Sequence, residues 1–96
     1  MSFVVTVVFV PKPEHRADFR REMIANAEAS RTREQGCRQF DVCESADGKD
    51  IFLYEIYDDE AAFKAHLATD HFKHFNAITM PWIAEKRVVT HSRISP

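Results

Sequence analysis

The chain has 96 residues, 45% of them hydrophobic, and sets 13 basic side chains against 15 acidic ones for a formal net charge of −2 with histidine neutral. That length makes one small domain, residues 1–96, whose core has little margin over its surface, so a partner subunit would help it. The balanced charge offers no basic face for nucleic acid or an anionic membrane, and neither is expected as a partner.

The opening MSFVVTVVFVPKPEHR has an apolar run but no basic stretch before it and no small-residue cleavage site. It is too short to span a bilayer, so the expected location is cytoplasmic. Residues 3–10 are apolar at nearly every position, and both alternating sets, Phe3/Val5/Val7/Phe9 and Val4/Val8/Val10, call for burial on the two faces of a strand. Pro11 and Pro13 end it, and Pro13 can open a helix running to about Thr32 with Phe19, Met23 and Ala27 as its buried stripe and Ile24 beside them. Gly36 fits a left-handed stop after that helix. Cys37 and Cys43, six apart on the next strand, should share one face at roughly 20 Å and cannot bridge each other.

Asp47-Gly48 is a strong hairpin signal, so the strand before it pairs antiparallel with residues 51–57. Asp58-Asp59-Glu60 then supplies an N-cap for a helix with Phe63 and Leu67 on its buried side and Ala62 and His66 on an adjoining stripe. Thr69 or Asp70 caps a second segment in which His71, Phe75, Ile78 and Trp82 keep helical spacing, with His74 one turn beyond His71. Residues 86–94 read as a last strand. The order β-α-β-β-α-β predicts an α+β, ferredoxin-like fold, a four-stranded antiparallel sheet with helices on one face. The first strand needs cover on its other face too, and the same face of a second copy would provide it in a two-fold homodimer.

The segments REQGCRQFDVCES and FLYEIYDDEAAFKAHLATDHFKHF, with the basic-apolar last strand, resemble the antibiotic biosynthesis monooxygenase (ABM) superfamily over nearly the whole chain. The likeness lies in Gly36-Cys37…Phe40-Asp41-Val42, then Tyr54-Glu55-x-Tyr57, then Ala62-x-x-x-His66-x-x-Thr69-x-His71-Phe72. It implies a dimeric α+β barrel with a pocket between helices and sheet in each protomer. Similar proteins include cofactor-free monooxygenases of quinols or polycyclic phenols, an isomerase of phosphorylated autoinducer-2, and haem-degrading enzymes. The haem-degrading pattern wants an Asn in the first strand, a Trp on the second helix and a later His. This chain lacks the Asn and has His66 and Asn76 at what look like the other two positions.

Cofactor-free oxygenation needs a base, an anion stabiliser and a dry pocket, because the substrate is itself the reductant. His66 is the candidate base, with His71 and Glu55 beside it as further catalytic groups. Glu55 could instead be an interface ion-pair partner for an arginine. Asn26 would offer an amide to a substrate oxygen, as similar proteins do from that region, and Tyr54, Phe40, Phe63, Phe75 and Trp82 would line an aromatic pocket. His66, His71 and His74 have enough donors for a metal, but the resemblance implies none, and no cofactor is expected. The reading is a homodimeric, cofactor-independent monooxygenase acting on a small aromatic substrate, a quinol or electron-rich phenol, with O2. Its alternatives are an isomerase of a small phosphorylated dicarbonyl, with phosphate held by Arg31, Arg33, Arg38 or Lys86 and Arg87, and a non-catalytic ligand-binding module.

Overall fold

The structure, a computed structural model, describes residues 2–96. It has four strands, β1 (Phe3–Pro11), β2 (Cys37–Glu44), β3 (Ile51–Tyr57) and β4 (Ile83–Ser92), and three helices, α1 (Arg16–Arg33), α2 (Glu60–Leu67) and α3 (Asp70–Thr79). Pro13–His15 and Met80–Trp82 form single 3-10 turns, so Pro13 opens the turn that leads into α1 rather than α1 itself. The strands pair antiparallel in the order β2-β3-β1-β4, with Phe3 opposite Tyr57 on one side and Ser92 on the other. This is the ferredoxin-like arrangement. No helix among the described residues is long and apolar enough to cross a membrane.

The core lies between the sheet and the helices. Val5, Val7 and Phe9 point inward from β1, and Phe19, Met23 and Ala27 meet them from α1, all buried. Phe9, Phe19 and Phe75 form a ring trio with centroids 5.0 to 6.2 Å apart, packing worth about 0.5–1.5 kcal/mol per pair beyond area burial. On the helix-free face Val4 and Ile56 are buried and Val8 and Val10 half-buried, while Phe52 and Val89 stand exposed.

Several local expectations change. Gly48 takes the left-handed conformation (φ 74°) that the hairpin needs, but Gly36 does not. Glycine is required at 36 by close approach: a Cβ there would stand 2.5 Å from the Ala62 Cβ at the start of α2. Cys37 and Cys43 lie on opposite faces, one buried and one exposed, because the register shifts between Cys37 and Gln39 and one extra residue inverts the alternation. Burial pushes the Cys37 thiol up to about 11, with the negative charges of Glu34 and Glu55 adding to the effect, which suits an inert thiol. The buried stripe of α1 continues through Asn26 and Ser30, leaving Ile24 exposed on the flank. In α2 the buried residue is His66 and Leu67 is exposed, because a polar bond described below holds the histidine edge inward. The last strand runs from Ile83 to Ser92, and Ile94 lies beyond it.

Candidate functional site

A cavity of about 290 Å3 opens between the sheet and the helices. Its walls are mostly apolar, from Val5 and Val7 on β1 to Phe63 on α2 and Phe75 on α3, and four polar side chains reach them: Asn26, Glu55, His66 and Lys86. That is the composition of a small-molecule pocket, at the small end of the usual range. Helices leave β4 uncovered, so Lys86 and the half-exposed Val88 form an open side.

Helix ends set the geometry. The Asp59 carboxylate accepts from the Ala62 N–H at 2.8 Å and starts α2, and the Thr69 hydroxyl accepts from the Phe72 N–H at 3.2 Å and starts α3. Thr69 also donates to the His66 carbonyl at 2.8 Å, tying the end of one helix to the start of the next. His66, only 3% exposed, is thereby fixed among the rings of Phe40, Tyr57 and Phe72, with centroids 5.1 to 5.9 Å away.

Its Nδ1 lies 2.9 and 3.1 Å from the two carboxylate oxygens of Glu34, and His71 Nε2 lies 2.5 Å from the nearer of them. Glu34 is the first residue beyond α1; its backbone turns extended there while its N–H still donates to the Ser30 carbonyl, which swings the side chain beneath α2 and α3. Burial alone would raise this carboxyl, but hydrogen bonds and charge from His66, with bonds from His71 and Ser30, outweigh it and hold Glu34 below the usual value. The group is therefore an ionised acceptor, and Nδ1 of His66 and Nε2 of His71 are the donors. His66 Nε2 makes no hydrogen bond to any described residue and is the nitrogen left for a ligand.

The other carboxylate differs. Glu55 is 3% exposed on the helix-facing side of β3, and burial pushes it up to about 6, a shift that the Tyr57 hydroxyl donating to Oε1 at 2.6 Å and the charge of His66 only partly offset. It lines the cavity. Burial, with the charge of Glu55 beside it, pushes Tyr57 far up, so its hydroxyl stays a donor. Asn26 is buried, lines the cavity, and its Oδ1 has no hydrogen-bond partner, an uncompensated group that a bound molecule would satisfy.

Of the residues singled out from sequence, His66, Glu55, Asn26, Phe40, Phe63 and Phe75 line this cavity. His71 stands behind His66, joined to it through Glu34. Tyr54 belongs to the opposite face of the sheet, since alternation along β3 that turns Glu55 inward turns its neighbour out. Trp82 also lies outside the cavity: it follows α3 in the 3-10 turn and stacks on His15 at 5.2 Å. His74 is a surface residue whose Nε2 sits 3.8 Å from Glu22. Glu34 was missed. Its signal was a carboxylate at a helix C-terminus, where the helix dipole favours cations, in a chain that otherwise puts Arg31 and Arg33 there.

Residues 2–78 match the family described as antibiotic biosynthesis monooxygenase. A Mycobacterium tuberculosis protein named "Putative monooxygenase Rv0793" is 35% identical over 79 residues, covering 80% of this chain and 77% of the relative. Its solved structure superposes with a TM-score of 0.93 at 27% identity, over 100% of this chain and 98% of that one. A Nitrosomonas europaea structure, described as a "putative antibiotic biosynthesis monooxygenase", gives 0.93 at 29% identity, over 99% and 92%. A family match over most of the length, with a relative 35% identical over 80% of the chain and a common fold, places this chain in the antibiotic biosynthesis monooxygenase family.

Proposed function

We propose that the protein is a cofactor-independent monooxygenase of a small quinol or electron-rich phenol, working in the cavity with His66 as base. The observation that carries this reading is the order Glu34–His66–cavity: an ionised carboxylate fixes the ring and its tautomer through Nδ1 and leaves Nε2 for a substrate hydroxyl. His66 takes the phenolic proton, and the electron-rich ring passes one electron to O2. The two radicals join at a ring carbon; one oxygen atom stays on the ring and the other leaves as water, so a quinol plus O2 becomes a hydroxylated quinone plus water. Asn26 holds a ring oxygen, and the apolar walls keep water from the intermediates.

The isomerase alternative needs a phosphate site, and the cavity lining has one permanent cation, Lys86. The Arg31 guanidinium donates to the Phe40 carbonyl, Arg38 pairs with Asp58, and Arg87 belongs to the helix-free face with Val8. We infer also that two copies pair through that face, because Phe52 and Val89 stand exposed there beside half-buried Val8 and Tyr54.

The test is oxygen uptake by flavin-free protein presented with a panel of quinols, against the autoxidation background. Uptake above background that falls by about 100-fold or more in His66→Ala fits the loss of a general base. Uptake that never exceeds background, with turnover of a phosphorylated dicarbonyl instead, would overturn the reading. For the pairing, Phe52→Asp should shift the particle from dimer to monomer mass in light scattering.

A further inference from the structure

We propose that Glu34, His66 and His71 form a binding site for one divalent ion of the zinc type, the ion replacing the protons through which the two imidazoles now bond to the carboxylate. Sequence spacing grouped His66 and His71 with His74, which the fold sends to the surface. The third ligand comes instead from 32 residues upstream of His66, at the end of α1.

The donor set is two imidazole nitrogens and one carboxylate oxygen, the combination of many three-ligand zinc sites that keep a fourth position for water. Calcium and magnesium prefer all-oxygen shells, and copper(I) prefers sulfur, so the set favours zinc, cobalt(II) or nickel(II). The geometry is close. All three ligand atoms lie within 4.8 Å of one another, with the Glu34 oxygen 2.9 Å from His66 Nδ1 and 2.5 Å from His71 Nε2. Tetrahedral ligands at about 2.1 Å from zinc stand about 3.4 Å apart, so the two Glu34–imidazole distances open by less than about an ångström and the two imidazole nitrogens, within 4.8 Å of each other, close by at most about 1.4 Å.

The surroundings also fit. His66 and His71 sit on helices started by the Asp59 and Thr69 caps, and Glu34 is held at the end of α1 by its N–H bond to the Ser30 carbonyl, so all three ligands are positioned before any ion arrives. No lysine or arginine among the described residues pairs with Glu34, so its negative charge is compensated by imidazole alone. The Glu34 and His71 side chains keep 11% and 12% exposure, and His71 borders a second cavity of about 210 Å3 that gives a hydrated ion a way in. Ser30, 3.5 Å from His66 Nδ1, stands as a hydroxyl behind the ligands.

This inference stands whether or not the chain is an oxygenase, because it is read by binding alone. Chelator-stripped protein is titrated with Zn2+ against a chromophoric competitor, and separately with Co2+ while visible absorption is recorded. One ion per chain, intense tetrahedral cobalt bands, and at least about tenfold weaker binding in Glu34→Gln and in His71→Ala are expected, with His74→Ala unchanged. In case a variant is misfolded, the wild-type protein gives a second readout: Zn2+ should move the ring NMR signals of His66 and His71 and leave those of His15 and His91 in place. Stoichiometry well below one, affinity indifferent to Glu34 and His71, or loss of binding in His74→Ala would each overturn the site.

Discussion

Glu34 and Glu55 stand near one histidine and are driven in opposite directions. Glu34, the residue just past the end of a helix, receives two imidazole donors and is held ionised. Glu55, in mid-strand between apolar neighbours, receives one phenol and is pushed up to about 6. Glu55 is the more deeply buried of the two, and Glu34 receives more donors and more positive charge; both differences push the pair apart. Such a split assigns roles. The low group orients the base, and the high group sits in the pocket where it can hold or release a proton near neutrality.

The largest effect that would break this comparison comes from Glu34→Gln. The variant keeps shape but loses the charge and cannot accept from both rings as the carboxylate does, so turnover of a competent quinol should fall by about 10- to 100-fold, the range for groups that orient a working histidine. Because Glu34 acts through His66, the loss should appear in kcat more than in KM, and Glu34→Asp should recover part of it. Equal kcat in wild type and Glu34→Gln would leave the carboxylate as packing.

Much of this was legible in residue order and pattern. The apolar alternation of β1, the Asp-Gly hairpin and the Asp59 and Thr69 caps all act over a few residues, so they yielded the element order and with it the ferredoxin-like sheet. Gathering His66, Glu55, Asn26, Phe40, Phe63 and Phe75 around one cavity follows from that topology. What escaped depends on register or on contact across the fold. One extra residue at Cys37/Gln39 inverts the faces of β2, and nothing in the local sequence announces it. Ala62 explains Gly36 only once α2 lies against that turn. Glu34 meets His66 across 32 residues of chain, a distance at which spacing carries no information.

Glu55→Gln sharpens the comparison at intermediate size. The folded state holds the Glu55 proton up to about 6 while the ordinary value is 4.5, so between those values the folded chain binds more protons than the unfolded one. Stability therefore falls as pH rises through that window, by about 2 kcal/mol in all, and the loss persists at neutral pH. Removing the charge should make Glu55→Gln more stable than wild type near pH 7 by up to that amount, with the gap closing towards pH 4. Urea unfolding at a series of pH values measures it. A gap that stays constant across the series would mean that Glu55 does not titrate in this window.

His74→Ala should do the least, and for an instructive reason. His74–Glu22 and His71–Glu34 are both histidine–glutamate pairs joining α3 to the α1 region, yet one spans 3.8 Å with a His74 side chain 68% exposed and the other 2.5 Å with both side chains nearly covered. Water and salt screen the first, and exposed pairs of that kind contribute between nothing and about 1 kcal/mol. Stability in His74→Ala should stay within about 0.5 kcal/mol of wild type and turnover should not change. The corresponding His71→Ala removes one of the two imidazole donors of Glu34 in a half-buried site, and should cost about 1–3 kcal/mol. If unfolding curves show the two alanine variants to be alike, solvent access is not what separates the buried knot from its surface counterpart, and the roles assigned to the two glutamates lose their physical basis.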